Sequence, residues 1–512
     1  MQKGIIMNTL SGSGRGDFHT LYLGRSVDDL IIEYMEENNI PGMSLAIVQA
    51  PYITRVVGYG FADTEKKLLV STRTLFHVGQ LTHAFTAVAI MQLKEEKKLQ
   101  LDDLVSAYIS IPQTWQSVTI RELLTHSSGI PDYTQCDGFS FHKDYKPKDI
   151  FSLFKDPGLY FPSGTKMQIS ATNYYLLGLI IEKVSHMSYE DYVTKNQINR
   201  VGLKRTFFVK NKTSIANELN KDAPPFKHSE FLHNPIYIDP MEVALGYNTE
   251  NEAIPEVTWT TTMSHSGVIA SAEDISIWDI SLAGTILVKE TENRDFLYHC
   301  ITLNNKTTIP GNAGWLFPGH PGLMEIKGNI PGFSAFLSRF TAANELLCVT
   351  LLANKEHLID LDILGRKIAA AFDFKLGAPE GSGSQALQSP YSVTQTIERV
   401  VDIVTQQGGK IFAHIDHSKE AQKVNLTLLP TEVLIIGNPA KGTPLMQENA
   451  AIALDLPLRI MATEDHDAQV WLSFADPIQL GKEYQLHNKE LKQIASALRM
   501  LCEKAVSAQS IL

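Results

Sequence analysis

The chain has 512 residues, 44% of them apolar and 20% charged, with a formal net charge of −11 at pH 7. This length and apolar content suit two to four folded domains and exclude extensive disorder. The acidic balance argues against nucleic acid or an anionic membrane surface as a main partner, since both demand a surplus of Lys and Arg.

Residues 1–25 read as a polar, Gly- and Ser-containing lead-in without the apolar run of a secretory signal. Val27–Asn38 has helical periodicity and is stopped by Pro41-Gly42. Met43–Ala50 and Thr54–Ala62 read as a strand pair. Within Phe76–Glu96 the run beginning at Ala84 is apolar nearly all round, as a buried central helix would be. Thr172–Val184 and Asp274–Gly284 give further helices, Ser334–Phe340 and Leu346–Leu352 adjacent strands, and Ile359–Phe372 a closing helix. Strands at both ends with helices between them predict an α+β domain over residues 26–375 whose termini meet in one sheet.

Residues 376–392 read as a linker, beginning LGAPEGSGSQALQSP. The unit 393–512 starts with an amphipathic helix at Val393–Gln406. Strands are expected at Ile411–Ile415, Glu432–Gly437 and Ala468–Phe474, and helices at Glu448–Ala453 and Lys489–Ala508. Cys136, Cys300, Cys348 and Cys502 are far apart and show no metal-ligand spacing. No stretch is long and apolar enough for a membrane helix, so a cytoplasmic location is expected.

Six segments of the first domain occur in a telling order. They are Phe76–Val88, Leu101–Val105, Thr119–Tyr133, Phe161–Thr165, Asn173–Glu182 and Gly328–Ser334. Together they resemble the penicillin-recognising serine hydrolases: class C β-lactamases, esterases and D-aminopeptidases. The resemblance implies an antiparallel sheet flanked by helices, plus a helical region. It also implies a serine nucleophile with a lysine one helical turn later, a Tyr-x-Asn element, and a Lys/His-x-Gly element on a facing strand.

The chemistry-bearing positions depart from that pattern. Gln80 stands at the nucleophile and His83 at its lysine partner. Ile169, Ser170 and Ala171 fill the Tyr-x-Asn positions, and Ile326, Lys327 and Gly328 the third element. A carboxamide is no nucleophile, isoleucine moves no proton, and alanine cannot hydrogen-bond a substrate. Thr82 falls about 200° round the helix from Gln80 and so points elsewhere. Ser127 and Ser128 match a structural turn. A Ser170–His83 pair across the cleft would be the rebuilt base and nucleophile of an active enzyme. His77, His83, His126 and His265 lack the spacing of a metal site, so no metal and no cofactor is expected.

In the last unit, Phe412–His417, Leu428–Met446 and Ala453–Ile460 resemble the domain-of-unknown-function family numbered 302, which implies a small α/β domain without an established activity. His414, Asp416, His417, Asn438, Thr443 and Asp455 are its candidate pocket residues, lying near strand ends. Asn438 and the prolines beside it also suit turns, and Asp416 or Asp455 a cap.

Three functions follow. The first is a pseudoenzyme that binds a small molecule or peptide. The second is an esterase, peptidase or lactamase with a site rebuilt on His83. The third is ligand binding by the C-terminal unit. A homo-oligomer is compatible with all three.

Overall fold

The computed structural model describes residues 14–16, 21–22, 25–49, 52–211, 243–317, 322–340, 347–358, 360–372, 376, 384–464, 470–484, 486 and 490–507. The chain divides into two compact units, one running to Phe374 apart from residues 317–321, the other holding those five residues and the chain from Lys375 onward.

In the first unit, β1 (Gly14–Gly16), α1 (Val27–Asn38), β2 (Gly42–Gln49) and β3 (Tyr52–Asp63) precede a helical region. Three strands then return: β4 (Leu323–Ile330), β5 (Phe333–Phe340) and β6 (Leu347–Ala353). These strands run antiparallel in the order β1-β3-β2-β6-β5-β4, continued past β4 by the short strands Trp315–Leu316 and Gly311–Asn312, so the two ends of the domain meet where Leu45 lies opposite Leu351. α1 starts at Ser26, whose hydroxyl accepts from the Asp29 N–H at 3.0 Å while the Asp29 carboxylate accepts from the Ser26 N–H at 3.1 Å. It ends at Asn39 in the left-handed region, φ 49°.

The closing helix α6, counted after the four that follow α1, spans Leu361–Phe372. It packs on β5 and β6 with α1 beside it. The opposite face of the sheet carries α5 (Ala272–Ala283). There Arg339 and Asp279, both buried, pair at 3.1 Å, and the Ser276 and Thr350 hydroxyls meet at 2.8 Å. The helical region is centred on α2 (Thr82–Glu95), buried from Thr82 to Leu93. α3 (Ala171–Ser185) and α4 (Trp259–Ser266) pack against it. A central helix with no wet face needs apolar residues all round, as the sequence has. Among the described residues no helix is long and apolar enough to cross a membrane.

The second unit is a five-stranded antiparallel sheet in the order β7-β11-β10-β9-β8. These strands are Ser384–Ser389, Val470–Ala475, Leu458–Glu464, Thr431–Gly437 and Lys410–Asp416 respectively. Its core joins Val393, Ile397, Val400 and Val404 of α7 (Val393–Gln406) to Leu434, Ile460, Leu472 and Leu498. Leu498 and Cys502 come from the last helix, Glu490–Val506. The fold is thus α+β throughout. The linker expectation is corrected here, since Ser384–Ser389 pairs along its length with β11 and its Leu387 packs on the core. The Gly/Ser-rich composition just before it hid a short edge strand.

Candidate functional site

The chemistry-bearing positions of the first unit lie on three elements: a 3-10 turn (Gly79–Leu81) leading into α2, the start of α3, and strand β4. Two glycines let the turn lie against β4. Gly79 has φ +53°, and a side chain on it would meet the Asn329 nitrogen at 2.9 Å. A side chain on Gly328 would meet the Val78 carbonyl oxygen at 2.2 Å.

That close approach aims the Asn329 backbone N–H at residue 80. The half-buried Gln80 turns its carboxamide back, and its Oε1 accepts from Asn329 N–H at 2.6 Å. A strand-edge N–H pointing at a nucleophile's position is what stabilises the oxyanion formed when a carbonyl is attacked. In this chain the protein's own carbonyl already holds that donor. The Asn329 side chain is fixed separately: its Oδ1 accepts from the His357 N–H at 3.2 Å and its Nδ2 lies 2.8 Å from His357 Nδ1. Asn329 was missed from sequence, because a backbone donor carries no residue-type signature.

His83 points into the protein. Its ring is 3% exposed and stacks on Tyr174 with centroids 3.8 Å apart and planes at 14°. His126 lies 5.3 Å away, centroid to centroid. Among the described residues His83 Nε2 has no hydrogen-bond partner. Burial, then the neighbouring His126 and His265, push its pKa well below the ordinary value. A base this reluctant to take a proton is poorly matched to catalysis near neutral pH.

Ser170 is buried at the entry to α3, and its hydroxyl faces the Pro131 carbonyl at 3.4 Å. Its N–H donates to His126 Nδ1 at 3.3 Å, and the Asn173 carboxamide donates to the same nitrogen at 3.1 Å. Two donors on Nδ1 fix His126 as the neutral tautomer protonated on Nε2. Burial agrees, lowering its pKa to about 3. Only the main-chain N–H of Ser170 meets His126, its hydroxyl faces Pro131, and the Ser170–His83 hydrogen bond expected of a rebuilt site is not formed. Ser128 donates to Asn173 Oδ1 at 2.6 Å, as a structural turn would. Ala171 N–H donates to Asp132 at 3.0 Å, and Ile169 stands 56% exposed at the surface, where it gains little from packing.

On β4, Ile326 and Gly328 share the face toward the 3-10 turn. Lys327 does not join them, which corrects its expected place in the cleft. Strand alternation sends it to the other face, where it pairs with Asp362 of α6 at 2.9 Å, beside the two-fold Glu325–Arg366 contact at 2.8 and 2.9 Å. Thr82 accepts from the Val268 N–H at 3.2 Å, away from Gln80 as its helical position requires.

The four histidines weighed as ligands are only partly gathered. His83 and His126 are neighbours, His265 Nε2 donates to the Thr261 carbonyl at 2.6 Å, and His77 lies against Phe333. Among the described residues no three His, Cys, Asp or Glu side chains are placed to hold a metal ion.

The six candidates of the second unit do not form one pocket. His414 Nε2 meets Glu432 at 2.7 Å at the β8 edge, and Glu432 also accepts from the Thr394 hydroxyl at 2.6 Å. Asp416 caps the short helix His417–Lys423, and hydrogen bonds from Lys419 and Ser418 hold its carboxyl well below the usual range. His417 is exposed. Asn438 caps the helix Pro439–Glu448 and, with Thr443, lines an apolar crevice. Asp455 accepts from the Tyr484 hydroxyl at 2.5 Å.

A sheet bearing helices on both faces, with a helical region whose buried helix starts at the sheet edge, defines the fold of penicillin-recognising enzymes. The Beta-lactamase family model matches residues 27–372, so the chain belongs to the β-lactamase family. Residues 385–508 match a second model, Domain of unknown function DUF302. Protein flp of Staphylococcus aureus (strain MW2) is 25% identical over 345 residues, covering 65% of this chain and 64% of flp. Penicillin-binding protein 4* of Bacillus subtilis (strain 168) is 28% identical over 311 residues, covering 58% and 65%. The chain thus spans under two thirds of these relatives' length. Two solved structures share the fold at low identity. The octameric penicillin-binding protein homologue from Pyrococcus abyssi has TM-score 0.55 and 20% identity, over 87% of this chain and 89% of that one. A class C β-lactamase in complex with cefoxitin has TM-score 0.53 and 22% identity, over 67% and 97%.

Proposed function

We propose that the first unit is a non-hydrolytic member of the β-lactamase family, kept as a binding or interaction module. The observation that carries this reading is the Gln80 carboxamide on the Asn329 N–H. One side chain removes the nucleophile and also fills the position where an attacked carbonyl would have to sit. The burial of His83 and of Ser170, whose hydroxyl faces the Pro131 carbonyl, supports it, because neither residue replaces the missing pair. The partner we infer is a small molecule or peptide held without covalent change, with Ile169 offering apolar contact beside the start of α3.

The test is turnover of a chromogenic cephalosporin and of a short-chain nitrophenyl ester by the full chain. The reading expects rates equal to buffer. Turnover abolished by His83→Ala or Ser170→Ala would replace it with the rebuilt hydrolase. The octamer of the Pyrococcus abyssi homologue motivates a further arm, the mass of this chain in solution by light scattering. Self-association is the expected outcome there, and a monomer at micromolar concentration would count against it.

A further inference from the structure

The second unit holds a crevice of about 310 Å³ between the end of the sheet and the helices Pro439–Glu448 and Glu490–Val506. Its walls are apolar: Phe412, Leu445, Ile452, Leu456, Leu491 and Ile494 among them. Among the described residues the polar groups stand beside the first turns of the Pro439 helix, at Asn438, Lys441 and Thr443. A concave apolar site with a few convergent polar groups is the usual form of a small-molecule pocket.

The chemistry of that polar side selects the ligand. The first-turn N–H groups are already used. Ala440 N–H donates to Asn438 Oδ1 at 3.0 Å, and Lys441 and Gly442 N–H both donate to the Asn438 carbonyl at 2.9 Å. The helix start therefore has little left for an anion. The Thr443 hydroxyl and the Asn438 Nδ2 make no hydrogen bond among the described residues, and both suit a neutral oxygen. A dry cavity of about 150 Å³ takes a benzene, so twice that volume takes roughly ten to twelve carbons. We infer that this crevice binds an uncharged, mostly hydrocarbon molecule of that size carrying one hydroxyl or carbonyl, such as a medium-chain alcohol or ketone. This site is independent of the reading given for the first unit.

Gly442 supplies the test. A Cβ placed on it meets only Leu456, at 4.0 Å, and Leu456 is itself a wall of the crevice, so position 442 accepts a side chain bordering the crevice. The full chain is titrated with N-phenyl-1-naphthylamine, a neutral fluorescent probe, and the complex is challenged with decan-1-ol and with decanoate. The expected result is saturable binding at one site per chain. Decan-1-ol should displace the probe roughly tenfold better than decanoate, and Gly442→Phe should weaken binding by about tenfold while leaving the melting curve in place. Met446→Trp fills the crevice from one turn further along the same helix and serves if Gly442→Phe does not fold. Probe binding indifferent to whichever variant folds would overturn the assignment. Tighter displacement by decanoate than by decan-1-ol would overturn the neutral ligand class and assign the rim to an anion at Lys441.

Discussion

Gln80 holds the Asn329 N–H, and His126 accepts from the Ser170 N–H and the Asn173 carboxamide. Replacing Gln80 by alanine removes one neutral hydrogen bond to a half-buried donor, which costs about 1 kcal/mol net. Gln80→Ala should therefore lower the melting temperature only slightly. It should leave turnover at the buffer rate, because freeing the donor supplies no nucleophile. His126 carries a pH dependence with a definite sign. Its pKa falls from 6.5 in the unfolded chain to about 3 in the folded one, because burial penalises the charge. Below about pH 6.5 the unfolded chain binds a proton that the folded chain refuses, so stability is full above that pH and falls as pH drops toward 3. The slope is about 1.4 kcal/mol per pH unit for this one group. Denaturant midpoints between pH 7 and 4.5 should fall, and His126→Gln should flatten the fall by up to that slope. An unchanged acid limb in a folded His126→Gln protein would mean that His126 is not the neutral buried group described. Gln80, His83, Ile169 and Ala171 were legible as departures in the sequence. The partner of Gln80 was not, since the Asn329 backbone amide is the same atom whatever residue carries it.

Strand β4 divides its residues between two jobs by alternation. Ile326 and Gly328 face the 3-10 turn, while Glu325 and Lys327 face α6 and pair with Arg366 and Asp362. The motif spacing put Lys327 in the cleft because a three-residue motif was read as a block. Only the period of two along a strand separates its middle residue from the outer pair. The Glu325 side chain is 1% exposed, so removing its partner strands a buried carboxylate. Arg366→Ala should cost about 3–5 kcal/mol, and the double change Glu325→Leu with Arg366→Met should recover most of that loss. Chemical denaturation of the three proteins gives the comparison. A neutral Arg366→Ala would show that this face of the sheet is not held by the pair. The apolar helices were legible because burial on all sides leaves a continuous pattern. The strand at β4 follows from the family resemblance alone, because Lys, Gly, Asn and Glu interrupt its apolar alternation with ion-pairing and close-approach residues.

At the scale of the molecule, the two-unit organisation could be read from the composition change near residue 380, but its boundary was placed too late. Ser384–Ser389 closes the edge of the second sheet. A fragment beginning at Ser384 should unfold in one cooperative transition. One beginning at Val393 loses the edge strand and the cover of Leu387, and should melt lower or without cooperativity. Equal melting of both fragments would return Ser384–Ser389 to the linker. The β-lactamase family fold was legible because six scaffold segments carry the family's residue types in order, and fold alone does not carry the reaction. The most direct test of the central claim is intact-protein mass after incubation of the full chain with a fluorophosphonate and with benzylpenicillin. A first unit without a nucleophile predicts an unmodified mass with both reagents. A stoichiometric adduct that Ser170→Ala abolishes would contradict it.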